Sequence, residues 1–109
     1  MRMLDELLQG VEVRSLVGDG TVAVGRLEFD SRKVVPGTLF FATRGTQTDG
    51  HAYIPAAVAA GAAAVVCEEL PAERPAGVTF VQVPDSTVAL GQVASAFYGH
   101  PSRRLKLVG

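Results

Sequence analysis

The side chains in this sequence best suited to chemistry fall into two polar clusters. One is Phe29-Asp30-Ser31-Arg32; the other begins fourteen residues after Arg32 and runs Thr46-Gln47-Thr48-Asp49-Gly50-His51. Together they offer hydroxyls, a carboxamide, carboxylates, a guanidinium and an imidazole, a set that can donate to and accept from a polar ligand edge. Neither cluster pairs a nucleophile with a base. Ser31 has no histidine within several residues, and the positions of His51 and His100 do not argue for a triad. A hydrolase built on Ser31 would depend on the fold to deliver a histidine. Binding, rather than bond-making, is the chemistry these residues support.

Metal and phosphate signatures are missing from the pattern. His51 and His100 stand forty-nine residues apart and Cys67 is the one cysteine, which matches no ligand spacing. Between Val66 and Glu68, Cys67 reads as a small buried hydrophobe. No Gly-x-x-x-x-Gly-Lys-Ser/Thr run occurs, and Gly18-Asp19-Gly20 is a turn rather than a Gly-x-Gly-x-x-Gly cradle. Arg32 and Arg44 carry forked donors suited to an anionic ligand, or are neutralised locally by Asp30 and Asp49. His51 is open in the same way: a ligand contact, or a helix-start residue bonded within its own loop. His100, just before Pro101, helps to end a helix.

The elements that must position the two clusters follow from apolar spacing and turn residues. Met3, Leu4, Leu7 and Leu8 predict a short helix stopped at Gly10, and 11–24 reads as irregular or short-strand structure. A strand over 27–30 ends in the first cluster. Val35-Pro36-Gly37 is a turn, with proline setting φ and glycine taking a positive φ, and it leads into a buried strand over 39–42. The second cluster sits in the loop that follows, over 43–50. A helix over 52–60 tolerates Pro55 only in its first turn and closes at Gly61. Strands over 63–68 and 79–83 flank a proline-containing loop. Asp85 or Ser86 caps a helix whose Leu90, Val93, Ala94 and Phe97 make an apolar face, ended by Gly99 and Pro101. A last strand is expected over 105–108. Alternating strands and helices imply a three-layer α/β sandwich around a mixed or mostly parallel sheet of about five strands. In such sheets ligands sit in loops at the carboxyl ends of strands, where both clusters fall.

Composition bounds the remaining classes. The 109 residues suit one domain, and 48% hydrophobic content supplies ample burial. Ten Lys plus Arg against eleven Asp plus Glu leave no basic surface for nucleic acid. A single cysteine rules out an internal disulfide and fits a reducing compartment. No apolar run has the length of a membrane span, and Asp5 and Glu6 interrupt any signal-peptide pattern, so a cytoplasmic domain is expected. The closing Leu105-Lys106-Leu107-Val108-Gly109 ends as a strand with nothing after it, so the 109 residues are expected to be part of a longer protein.

From about Leu27 onward the chain resembles the amino-terminal domain of the Mur ligases, specifically the MurE type. The resemblance rests on Asp30-Ser31-Arg32, Val35-Pro36-Gly37-Thr38-Leu39-Phe40, Gly45-Thr46-Gln47-Thr48-Asp49-Gly50-His51, Gly61-Ala62-Ala63-Ala64-Val65-Val66 and Phe97-Tyr98-Gly99-His100-Pro101-Ser102, in that order. It implies that residues 1–109 hold the UDP end of UDP-N-acetylmuramoyl-L-Ala-D-Glu. Phe29 and Ser31 would contact the uridine part, and Thr46, Gln47 and Thr48 would reach it from the neighbouring loop. Asp30 and Arg32 look like supports of the loop. Some family members carry His where this chain has Thr46.

The family reaction is ATP-dependent amide formation in peptidoglycan biosynthesis. The D-Glu carboxylate is phosphorylated, and the amine of meso-diaminopimelate or L-lysine attacks the acyl phosphate. The resemblance places ATP, Mg²⁺ and the amino-acid pocket in central and carboxyl-terminal domains beyond these residues. The expected partners are therefore the UDP-muramoyl-dipeptide and those two domains, with no catalytic residue, cofactor or metal in residues 1–109 and no nucleic acid or membrane. The alternatives are the corresponding domain of a MurF-type ligase, which attaches D-Ala-D-Ala, and a stand-alone α/β interaction module.

Overall fold

Short runs of Val, Phe and Ala between glycines and prolines become the strands of a five-stranded sheet. The computed structural model describes residues 2–43, 50–72, 75 and 77–98. Its strands are β1 (Arg2–Met3), β2 (Ser15–Val17), β3 (Ala23–Val24), β4 (Arg26–Glu28), β5 (Thr38–Phe41), β6 (Ala64–Cys67) and β7 (Thr79–Gln82). The helices are α1 (Leu4–Leu7), α2 (Ile54–Ala59) and α3 (Ser86–Phe97), with 3-10 turns at Ser31–Lys33 and Gly50–Tyr53. In the main sheet the order is β2-β7-β6-β5-β4. Strands β4 to β7 run parallel in chain order and β2 is antiparallel to β7, while β1 and β3 form a separate antiparallel pair. This is the mixed, three-layer α/β architecture expected from the alternation of elements.

Helices on both faces explain why β5 and β6 are apolar without interruption. Side chains alternate across the sheet. Leu39, Phe41, Ala64, Val66 and Val81 pack with Leu4 and Leu7 of α1 and Ala89 and Val93 of α3. Phe40, Val65, Cys67 and Phe80 face the other way, onto Ile54 and Ala57 of α2. Phe40, Phe41 and Phe80 are completely buried, each contributing about 1.5–3 kcal/mol by removal from water. The turn before β5 forms as its residues dictate: Thr38 donates its amide to the Val35 carbonyl (3.2 Å), and Gly37 takes φ +87° after Pro36.

Three expectations are corrected in detail. The strand leading to the first cluster stops at Glu28, because Phe29 and Asp30 donate their amides to the Glu28 carboxylate instead of a neighbouring strand. The predicted 52–60 helix divides into the Gly50–Tyr53 3-10 turn and α2, with Pro55 in the first turn of α2 as required. On α3 the expected face packs on the core through Val93, which is fully buried, and through Leu90 and Phe97, which are partly buried, and the buried surface extends further to Ser86 and Ala89. The roll of α3 is set at its start, where Ser86 is tied inward to Glu68. Gly99, Pro101 and the strand expected over 105–108 lie outside the described residues.

Candidate functional site

Strands β4 and β5 are adjacent and parallel, with Glu28 opposite Phe40, so the segments that leave them emerge side by side. The first cluster is built by a chain of carboxylates. Glu28 Oε1 accepts the amides of Phe29 (3.2 Å) and Asp30 (3.4 Å), while Oε2 pairs with Arg26 (3.2 Å). Asp30 Oδ1 then accepts the Arg32 amide (3.0 Å) and Nε (3.1 Å), and Oδ2 accepts Nη2 (3.0 Å). Asp30 thus caps the Ser31–Lys33 turn and binds Arg32 through two oxygens. Those bonds hold the Asp30 carboxyl below the usual carboxylate range and push the Arg32 guanidinium up. Of the two readings of Arg32, local neutralisation is the one realised.

The turn borders a surface groove of about 420 Å³ lined by Phe29, Asp30, Ser31, Arg32 and Tyr53. Phe29 is 61% exposed and Tyr53 45% exposed, so both rings are available to a ligand in the groove. Two rings, a hydroxyl and a paired charge in one groove suit a flat heterocycle with a polar rim. A second groove of similar size, between α2 and Pro71, Ala72 and Pro75, has apolar residues as its described lining and offers no polar side chain there for such a rim.

Thr46, Gln47 and Thr48 lie outside the described residues, as does Arg44, but the ends of their segment are described. Gly50 donates its amide to the Thr43 carbonyl (2.7 Å), so the chain leaves β5 and returns at one point. Immediately after, His51 Nε2 accepts the amides of Glu68 (2.9 Å) and Glu69 (3.2 Å) at the end of β6. His51 is therefore bonded across the sheet edge to the segment that leaves β6. Phe29 and Ser31 both line the groove. Tyr53, which lines the groove, and Glu28, whose carboxylate holds the Phe29 and Asp30 amides, are residues that the sequence reading did not single out. Tyr53 stands just outside the apolar stripe of Ile54 and Ala57, which was the available signal.

The other groups at this edge are occupied structurally. Glu68 Oε2 accepts both the amide (2.9 Å) and the Oγ hydroxyl (3.0 Å) of Ser86, and Gln82 Nε2 donates to the Glu68 carbonyl (3.1 Å). Asp85 Oδ1 caps α3 by accepting from Thr87 and Val88. The positive end of α3 is thus filled by the protein's own carboxylates. Cys67 is buried, donates to the Val81 carbonyl (3.6 Å) and has its thiol pushed up to about 11 by burial. Among the described residues no group of three His, Cys, Asp or Glu side chains could hold a metal ion, and no helix is long and apolar enough to cross a membrane.

Known proteins share both this sequence and this fold. A family model described as "Mur ligase family, catalytic domain" matches residues 24–98. The UDP-N-acetylmuramoyl-L-alanyl-D-glutamate--2,6-diaminopimelate ligase of Bacteroides thetaiotaomicron is 49% identical over 107 residues, 98% of this chain and 22% of that protein. The protein of the same name from Bacteroides fragilis is 52% identical over 106 residues, 97% of this chain and 22% of that protein. Among solved structures, a crystal structure of MurF from Acinetobacter baumannii superposes with a TM-score of 0.73 at 25% identity, over 87% of this chain and 20% of that one. The chain spans about a fifth of the length of the curated relatives it matches. By the family match over most of its length and by its similarity to these ligases, the chain belongs to the Mur ligase family.

Proposed function

We propose that this chain is the amino-terminal, substrate-holding domain of a MurE-type ligase, and that its groove takes the uridine end of UDP-N-acetylmuramoyl-L-alanyl-D-glutamate. The observation that carries the reading is similarity of about half of all residues, over nearly the whole chain, to ligases whose names specify that substrate. The groove supports it: Phe29 and Ser31 share one surface with a second exposed ring, at the carboxyl ends of two parallel strands. Uracil presents a ring face and a rim of one donor and two acceptors. A hydroxyl that both donates and accepts, together with aromatic edges, answers that chemistry. Thr46, Gln47 and Thr48 complete the contact from the segment joined at Thr43 and Gly50.

In this reading the full-length protein is an ATP-dependent, cytoplasmic amino-acid ligase of cell-wall synthesis, joining diaminopimelate or a related amine to the D-glutamate carboxylate. The residues present do not fit ATP or Mg²⁺. The chain has no phosphate-loop pattern, the α3 amino terminus is filled by Asp85 and Glu68, and no acidic cluster is found among the described residues. Those groups belong to the central and carboxyl-terminal domains of the longer protein, which are the domain's partners in this reading. The solved neighbours named MurF keep a MurF-type domain as the second reading, favoured by fold but at 25% identity against 49–52%.

An NMR titration of the labelled chain with UDP, then with UDP-N-acetylmuramoyl-L-Ala-D-Glu, tests the proposal. Shifts are expected at Phe29, Ser31 and Thr46–Thr48, and Ser31→Ala is expected to weaken binding about tenfold, the worth of one buried hydrogen bond. A folded spectrum unmoved by millimolar ligand would favour the interaction-module alternative instead.

A further inference from the structure

The groove depends on a residue that does not line it. Tyr53, which lines the groove, is the last residue of the Gly50–Tyr53 turn, and hydrogen bonds from Gly50 and to His51 tie this turn to the sheet. Gly50 is bonded to Thr43 at the end of β5. His51 reaches the next strand, where Nε2 accepts the amides of both Glu68 and Glu69. These amides follow Cys67, the last residue of β6, where the parallel ladder has ended and two donors point out of the sheet edge. A nitrogen that accepts has no proton, so His51 is the neutral tautomer with its proton on Nδ1. The imidazole therefore acts as a rigid strut of fixed length between the turn and β6.

We infer that His51 is a positioning residue of the nucleotide site: by accepting the Glu68 and Glu69 amides it fixes the turn whose Tyr53 lines the groove together with Phe29 and Ser31. The inference rests on the nucleotide-binding reading and adds two residues to it, Tyr53 as a contact and His51 as its support. Two rings lining one groove offer apolar surface to a flat heterocycle, which leaves the Ser31 hydroxyl to select its rim. Without the strut, Tyr53 keeps its exposure but loses its place.

The test compares UDP affinities of the 109-residue chain and three variants by NMR titration. His51→Ala is expected to weaken binding about tenfold, and His51→Gln, whose carboxamide oxygen can accept the same amides, to recover to within about threefold of wild type. Rescue by glutamine separates an acceptor that positions the turn from a ring that merely fills space. Tyr53→Leu replaces a half-exposed side chain, so it leaves the core intact and does not depend on how His51→Ala folds; it too should weaken UDP about tenfold. Unchanged affinity in Tyr53→Leu, or in a folded His51→Ala whose Glu68 and Glu69 amides have moved, overturns the inference while leaving the nucleotide reading intact. Absence of UDP binding by the wild-type chain overturns both.

Discussion

Gly50 lies so close to Thr43 that a Cβ on it would sit 2.6 Å from the Thr43 carbonyl oxygen and 2.9 Å from its nitrogen. Both are backbone atoms at the end of β5, and neither can turn aside as a flexible side chain would. The same pair is joined by the Gly50 amide (2.7 Å). This contact closes the segment that carries Thr46, Gln47 and Thr48, and it admits glycine only.

Gly50→Ala should therefore destabilise the chain by about 1–3 kcal/mol through enforced backbone displacement. Chemical denaturation measures the loss. Uridine-nucleotide binding should weaken as well, since the displacement falls between the two clusters.

The Asp30–Arg32 pair makes the turn at Ser31 sensitive to acid. Asp30 is held below the usual carboxylate range by its bonds to Arg32, so its contribution is present above the ordinary carboxylate value and is lost as pH falls through the lowered one. An NMR titration of the Asp30 carboxyl should show this low midpoint, with the Arg32 Nε–H signal changing at the same pH. Asp30→Asn should abolish the Arg32 change and weaken nucleotide binding without affecting the core.

Cys67 sets an alkaline limit. Burial raises its thiol from 9.0 to about 11, so the unfolded chain loses its proton first and stability falls as pH rises between those values. Wild type should lose up to about 2–3 kcal/mol more than Cys67→Ala across that interval, as the two-unit separation implies. Denaturation at a series of pH values checks the difference, and slow reaction of the native thiol with a disulfide reagent at pH near 8 should accompany it.

At the start of α3, Ser86 is buried and bonded to Glu68 through amide and hydroxyl. Ser86→Ala should cost about 1–2 kcal/mol, because the hydroxyl bond is to a charged group. Asp85→Ala, a loss of the exposed cap, should cost about 1 kcal/mol. A double-mutant cycle of Ser86→Ala with Glu68→Gln should show coupling that Asp85→Ala with Glu68→Gln lacks.

Much of the fold was legible because its signals are local. Val35-Pro36-Gly37 makes its turn whatever surrounds it, Asp85 caps α3 through bonds two and three residues away, and Pro55 can stand only in a first turn. The apolar runs at β5 and β6 leave no choice but burial on both faces. The roll of α3 was only partly legible: Leu90, Val93 and Phe97 do pack on the core, but the most buried stripe runs through Ser86, Ala89 and Val93, slightly to one side. Spacing counts apolar residues, whereas the packed face was decided by a buried serine bonded to Glu68 from another strand.

The sequence by itself determined the order of elements from β4 to α3 and the placing of Phe29 and Ser31 after a strand. These depend on residue type and on neighbours a few positions away. Only the tertiary structure decided that Arg32 is engaged by Asp30, that Tyr53 shares a groove with Phe29, and that His51 is bonded to Glu68 and Glu69. The last two join segments far apart in the chain, and such contacts arise from the packing of β4, β5 and β6 side by side, which no local pattern encodes.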